Sequence, residues 1–162
     1  MDIWEELAEA RKELKLADHM VYVTYKLLND RKIMLSVARH INSALNNTIF
    51  AFLKNELRFK RIYHLPENEH LRLKYFLRDY SEQFALNFEG EEMIIKLDNL
   101  RSMKSGGYNI QEGSVIHIVN GCLRVETLSV NMIKKYLSNA RELINNIEKL
   151  VRTDYGTYAY KS

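Results

Sequence analysis

Residues 31–62 read RKIMLSVARHINSALNNTIFAFLKNELRFKRI, a run without glycine or proline in which an apolar residue recurs at every fourth position. This spacing predicts one long helix. Because residues four apart in an α-helix advance about 40° beyond a full turn, the apolar line winds around the axis and meets several neighbours. We therefore expect this helix to be the central rod of the fold, with its core line at Ile33, Val37, Ile41, Leu45, Ile49, Leu53 and Leu57.

The composition is typical of a globular chain that forms one domain. The chain has 162 residues, of which 46% are hydrophobic and 28% are charged. No segment approaches the ~18 uninterrupted apolar residues of a membrane span, and the N-terminus begins with acidic residues. We expect a cytoplasmic protein without a membrane segment or signal peptide. The one cysteine, Cys122, excludes an internal disulfide and a zinc site of clustered cysteines.

The small positive charge of the chain is concentrated in one stretch. The formal net charge is +3, but the stretch from Lys54 to Arg78 alone has an excess of four positive charges. The rest of the chain is therefore close to neutral.

The first predicted helix covers Asp2 to Leu28, where apolar residues alternate at spacings of three and four. Asp2 and Glu5 have the spacing of a capping box. The break at residues 29–30 is so short that the central helix must return antiparallel to the first.

A third predicted helix follows the central one. Pro66 should end the central helix near His64, because proline disfavours a helical residue before it. The next helix begins near Glu67 and carries a stripe of Leu73, Phe76, Tyr80, Phe84 and Phe88, which we interpret as core. Gly90 should interrupt this helix, which resumes over 91–104.

The period then changes from 3.6 to 2, which predicts a β-hairpin over 114–127. Asn120 and Gly121 favour a two-residue type I′ turn. This turn would place Ile116 opposite Val125 and His117 opposite Arg124, where the histidine is either a solvated cross-strand neighbour or an acid, a base or a phosphate contact. An isolated hairpin is marginally stable, so we expect a third strand, either from 108–111 or from the tyrosine-rich C-terminal segment.

The last predicted helix is capped by Ser129 and runs from Asn131 to Arg152. The fold class is therefore mainly α, an antiparallel bundle of four main helices with a β-hairpin inserted before the last helix. We expect a single helical-bundle domain over 1–152 and a tyrosine-rich tail over 153–162.

Arg58 and His64 form an Arg-x5-His pattern at the end of the central helix. A helical bundle with such a pair resembles the HEPN superfamily, the higher eukaryote and prokaryote nucleotide-binding domains, whose active members carry an Arg-x4-6-His motif. That resemblance implies metal-independent RNA cleavage by a dimer, with Arg58 and His64 as candidate catalytic residues. Two departures are a phenylalanine directly after Arg58 and the position of the pair on the second helix. The order of elements is also similar to small archaeal proteins of unknown function.

The basic stretch is the second candidate site. Its cations match the phosphates of a nucleic acid, and the aromatic residues between them match unpaired bases. The alternative is the solvated side of two helices. The candidate nucleic-acid-binding residues are Lys54, Arg58, Arg61, Tyr63, Arg72 and Lys74.

The sequence contains no phosphate-binding glycine loop, metalloprotease motif or other common catalytic signature, so it favours a non-enzymatic protein without metal or cofactor. Our first hypothesis is a binding module, a homodimer that contacts RNA or a protein partner. The alternatives are a HEPN-type ribonuclease and a structural or assembly subunit with no role in nucleic-acid binding.

Overall fold

The computed structural model describes residues 2–102, 108–112, 115–119 and 125–161. The chain is mainly helical, with a small antiparallel β-sheet between the last two helices. The helices are α1 (Ile3–His19), a π-helical segment (Met20–Thr24), α2 (Tyr25–Leu28), α3 (Lys32–Arg58), α4 (Glu69–Tyr80), α5 (Phe88–Ser102) and α6 (Val130–Lys161). The strands are β1 (Tyr108–Glu112), β2 (Val115–Val119) and β3 (Val125–Ser129).

The first helical stretch has the predicted start and the predicted end, but it is not a uniform α-helix. The capping box is confirmed, because the Asp2 side chain accepts a hydrogen bond from the Glu5 N–H at 2.8 Å and the Glu5 carboxylate accepts one from the Asp2 N–H. Between α1 and α2 the π-helical segment adds a residue to one turn. Val21 within it is still buried against the core.

The helix α3 is central, as the sequence predicts. The middle of its apolar line is at most 1% exposed. Around it lie α1, α4, α5, α6 and β3, all of which α3 contacts. The winding apolar line explains this, since one narrow stripe would reach fewer partners.

The end of α3 and the break after α4 differ from the sequence prediction. The helix α3 ends at Arg58, well before Pro66, because Lys60 adopts a left-handed conformation with φ of 57°. The helix α4 ends at Tyr80 and α5 begins at Phe88, so the break falls at 81–87 and Gly90 lies inside α5. Ala85 takes a positive φ of 51° within this break.

The aromatic stripe is core except for its last member. The Phe52 ring on α3 meets the rings of Phe76, Tyr80 and Phe84 edge-on, at centroid distances of 4.8 to 5.8 Å. Phe88 is 78% exposed, so its predicted place in the core is wrong. The chain break at 81–87 explains this, because it changes the direction of the helix that Phe88 begins.

The sheet confirms an antiparallel hairpin and a third strand from residues 108–112, but the predicted register is wrong. Ile116 is opposite Leu128 rather than Val125, and His117 is opposite Thr127 rather than Arg124. Val119 pairs with Val125, which leaves five residues between the strands instead of two. The observed register brings Leu128 into the core, where it is 0% exposed. The Asn120-Gly121 turn and Arg124 lie outside the described residues.

The last helix starts where predicted and continues further. The Ser129 hydroxyl accepts a hydrogen bond from the Met132 N–H at 3.2 Å, which confirms the cap. Instead of ending at Arg152, α6 runs to Lys161, so residues 153–161 are helical. The apolar residues of α6 that face the core are almost completely buried. They are Ile133, Leu137, Ala140, Ile144, Ile147 and Val151. Within the described ranges, none of the helices has the length and apolar content needed to cross a bilayer.

Candidate nucleic-acid interface

The predicted basic site lies where α3 ends and the loop of residues 59–68, the basic loop, leads into α4. The turn at its start is closed by the Arg61 N–H, which donates to the Glu56 carbonyl at 2.9 Å. Asn68 ends the loop as the cap of α4, since its side chain accepts from the Leu71 N–H at 2.9 Å. The loop therefore has defined ends.

Two of the six predicted binding residues are held in ion pairs inside the molecule. The Lys54 ammonium lies 2.8 Å from a Glu6 carboxylate oxygen of α1, and that carboxylate is only 6% exposed. The Arg61 guanidinium makes two hydrogen bonds to Asp154 of α6, at 2.8 and 3.0 Å, and a third to Glu56 at 2.8 Å. These two cations join α3 and the loop to the first and last helices.

The Arg61 contacts change the protonation of the groups involved. Hydrogen bonds from Arg61, opposed by partial burial and supported by Asn55, lower the pKa of Asp154. The hydrogen bonds to Asp154 and Glu56 raise the pKa of Arg61 above its ordinary value. Beside them, the Tyr80 hydroxyl donates to the other Glu56 oxygen at 3.3 Å, and burial raises the pKa of Tyr80. The charged forms of Asp154 and Arg61 are thus the stable ones.

Arg58 and His64, the candidate catalytic pair, have different surroundings. The Arg58 guanidinium donates to the Tyr155 hydroxyl at 2.6 Å and lies 4.6 Å from the centre of that ring. His64 is exposed in the basic loop. Arg58 therefore contacts α6 through Tyr155. The assignment of Arg58 and His64 as catalytic residues of a nuclease stays a prediction.

Arg72 is fixed in place by an aromatic ring and by the basic loop. Its guanidinium lies 3.9 Å from the centre of the Phe50 ring, and the Lys54 ammonium lies 4.1 Å from the same centre. The Arg72 side chain also donates to the carbonyls of Pro66 and Glu67, both at 3.3 Å. Among the described residues Arg72 has no ion pair, so its positive charge is not neutralised by a carboxylate of the chain.

The remaining predicted residues, Tyr63 and Lys74, are exposed. Tyr63 is 88% exposed. Lys60 and His64 on either side of it are exposed as well. The six predicted residues therefore fall into two groups. Lys54, Arg58 and Arg61 contact other helices of the chain. Tyr63, Arg72 and Lys74 lie on the basic loop and on α4.

Sequence reasoning missed a histidine–carboxylate pair between α4 and α5. His70 Nδ1 lies 2.6 Å from an oxygen of Asp98, whose other oxygen accepts from Arg101 at 2.7 Å. Asp98 is 8% exposed at its side chain. The i,i+3 spacing of Asp98 and Arg101 was the available signal in the sequence, but nothing in it pointed to a histidine 28 residues away.

The cross-strand partner of His117 is Thr127 and not the predicted Arg124. His117 Nδ1 lies 3.0 Å from the Thr127 hydroxyl, its cross-strand neighbour. Glu126 is in register with Ile118. The described residues contain no group of three or more His, Cys, Asp or Glu side chains arranged to hold a metal ion.

Comparison with known proteins adds no relative. No protein-family model matches the chain, and neither the curated proteins nor the solved structures contain a significant match. The resemblance to HEPN bundles therefore stays a prediction from the expected helical bundle and the spacing of Arg58 and His64.

Proposed function

We propose that the protein is a non-catalytic binding module that holds single-stranded RNA on the basic loop and the first turns of α4. The observation that carries this proposal is the Tyr63 side chain, 88% exposed between two exposed basic residues. We place this module in the cytoplasm, as a homodimer on the scaffold of an antiparallel bundle of four helices. The contacts of α3 with α1, α4, α5 and α6 support such a scaffold.

The charges that remain at this surface support an anionic partner. Lys60 and Lys74 are exposed, and Arg72 is oriented by Phe50 without a carboxylate partner among the described residues. Three such cations match the spaced phosphates of a single strand. If each neutralises one phosphate, the slope of log K against log salt is about −2, because a single-strand contact contributes about −0.7.

The exposed ring supplies the second part of the proposed interaction. A base stacked on an aromatic side chain contributes about 1 to 3 kcal/mol, with little dependence on sequence. Tyr63 lies on a loop whose two ends are fixed by Arg61 and Asn68. The backbone that carries the ring is therefore anchored on both sides, which lowers the entropy cost of ordering the loop on binding.

The test is a fluorescence-anisotropy titration of a labelled U-rich single-stranded RNA at several salt concentrations. We expect the double variant Lys60→Gln, Lys74→Gln to bind more weakly and to have a slope smaller by about 1.4, from two lost phosphate contacts. Tyr63→Ala should lower the affinity while leaving the slope nearly unchanged. Arg61 is not a suitable probe, because its removal would also separate the loop from Asp154.

The matched control is Lys15→Gln, Lys26→Gln, which removes the same charge from exposed positions on α1 and α2. The control should bind RNA as the unchanged protein does. Equal losses in both double variants would show non-specific attraction only. No binding at about 50 mM salt would contradict the proposal and favour a protein partner or an assembly role.

The ribonuclease alternative is tested by checking whether the labelled RNA in the same titration mixtures is cleaved. If the labelled RNA is cut in the presence of EDTA, and if Arg58→Lys or His64→Ala abolishes that cleavage, the HEPN-type interpretation replaces ours. Intact RNA after long incubation agrees with a binding module.

A further inference from the structure

A second surface, the α4–α5 face, combines an apolar cleft with an exposed aromatic ring. The cleft lies between the two helices and has a volume of about 230 Å³. Its apolar lining consists of Leu73, Leu77, Ile94 and Ile95. Phe88, at the start of α5, is 78% exposed. Residues seven apart on an α-helix share a face, so Phe88 lies on the same side of α5 as Ile95. The ring and the cleft therefore belong to one face.

The exposed ring does not fill the cleft of its own chain. Seven residues of α-helix separate Phe88 from Ile95 by about 10 Å, which is farther than a phenylalanine side chain extends. Isolated exposed apolar residues are normal on a protein surface, but here Ile95 is exposed as well, beside an apolar cleft. Aromatic residues that enter such clefts contribute most of the affinity in many protein interfaces.

A two-fold axis brings each ring to the cleft of a second copy. In a two-fold dimer the same patch is used twice, so that a first residue meets a second one of the partner and the second meets the first. The ring and the cleft lie on one face, and an axis perpendicular to that face and halfway between them exchanges the two. The two copies of α5 then run antiparallel, each over the groove between α4 and α5 of the other copy.

The charges beside the cleft fit this arrangement. His70 near the start of α4 contacts Asp98 near the end of α5, and a short loop joins the other ends of the two helices, which are therefore antiparallel neighbours. Arg78, two turns after His70, lies at the level of the first turns of α5. Its side chain is 71% exposed and pairs with the adjacent Asp79. Glu92 is exposed, and among the described residues it has no ion pair. The two-fold axis passes close to this level and sets Arg78 of one copy opposite Glu92 of the other.

We propose that the α4–α5 face is the contact between two copies of the chain, with Phe88 of each copy inserted into the cleft of the other. This contact rests on the homodimer of the proposed function and assigns an interface to it. Burial of two phenyl rings supplies most of the affinity, and the Arg78–Glu92 pairs at the rim orient the copies. A second copy fits this face because the ring, the cleft and both charges are present on one chain.

The experiment is sedimentation velocity of the full chain, without RNA, over a dilution series. We expect a dimer whose dissociation constant rises about thirtyfold or more in Phe88→Glu, the loss typical of a buried aromatic anchor. Glutamate is favourable in the first turn of a helix, so this variant should keep its helical circular dichroism spectrum. Leu27→Glu is the matched control, because Leu27 is 79% exposed on α2, and it should dimerise as the unchanged protein does.

A mixture of two variants tests whether the contact is reciprocal. Ile95→Arg places a cation at the cleft, at a position that is 51% exposed, and should also give monomers. An equimolar mixture of Phe88→Glu and Ile95→Arg should form heterodimers. In the mixed pair one phenyl ring still meets one intact cleft, and the two introduced charges have opposite signs. A contact through another face predicts no such pairing.

The outcomes separate this interface from the homodimer itself. If the unchanged chain sediments as a monomer at every concentration, both the homodimer and the interface are wrong. If the dimer survives in Phe88→Glu, or if the two variants do not pair, the homodimer stands and the interface is overturned. Dissociation caused by Leu27→Glu alone would place the contact on α2 instead.

Discussion

Ile41 and Leu45 lie at the middle of α3, at 0% and 1% exposure. Replacing either with alanine removes side-chain volume that several neighbouring helices cannot refill. We expect each variant to lose about 2 to 5 kcal/mol of unfolding free energy, measured by urea denaturation. Leu27→Ala is the matched control, because Leu27 is 79% exposed, and it should change stability by less than about 0.5 kcal/mol. A loss below 1 kcal/mol at Ile41 would show that α3 is not the centre of the core.

At the scale of single residues, the sequence predicts the core well and the partners of charged residues poorly. The apolar spacing is a local property, so the buried line of α3 can be read directly from it. Asp154 and Tyr155, which contact Arg61 and Arg58, are 93 and 97 residues away from them, on a part of α6 that the sequence assigned to a tail. Only the fold brings such charges together. The sequence therefore identified a basic cluster but not which of its cations are neutralised.

At the scale of elements, the π-helical segment Met20–Thr24 gives a direct test. A π-turn holds one residue more than an α-turn, so the deletion of Val23, which is 42% exposed, should convert the segment to regular α-helix without rotating its neighbours. We expect this deletion to cost less than half the stability lost on deleting Lys12 from α1. The Lys12 deletion rotates the rest of its helix by about 100°. Thermal melts followed by circular dichroism compare the two, and equal losses would contradict the expectation.

The elements were predicted more accurately than their boundaries and pairing. Helices and strands follow from periodicity, and the Asp2 and Ser129 caps follow from hydrogen bonds made within three residues. The strand register depends on the length of the turn and on burial of Leu128, which the Asn-Gly signal alone did not include. Likewise, the break between α4 and α5 involves a positive φ at Ala85, where no glycine marks it.

At the scale of the whole molecule, Asp154 joins the end of α6 to the basic loop, and its charge makes this junction dependent on pH. Its pKa is lowered in the folded protein, chiefly by hydrogen bonds from Arg61, so the unfolded chain takes up a proton at higher pH than the folded chain does. The stabilisation is complete above the ordinary aspartate pKa of about 3.9 and is lost as pH falls through the lower folded value.

We therefore expect Asp154→Asn to be less stable than the unchanged protein at neutral pH, with the difference shrinking below about pH 4. Urea unfolding at a series of pH values measures this difference. Glu142→Gln on the same helix is the control, since Glu142 is exposed, and its difference should stay flat. A constant difference for Asp154→Asn across the series would show that its charge does not support the junction.

An aromatic contact joins the two ends of the described chain, and it allows the docking of α6 to be followed by tryptophan fluorescence. Trp4 is the one tryptophan of the sequence, and its ring meets the Tyr155 ring edge-on at a centroid distance of 4.9 Å. The Arg152 guanidinium lies 5.2 Å from the centre of the same indole. Indole emission therefore senses whether the end of α6 is docked on α1, while the far-ultraviolet signal follows all helices together. Recorded during one denaturant titration, the two signals distinguish loosening of this corner from loss of the entire fold, without an added dye.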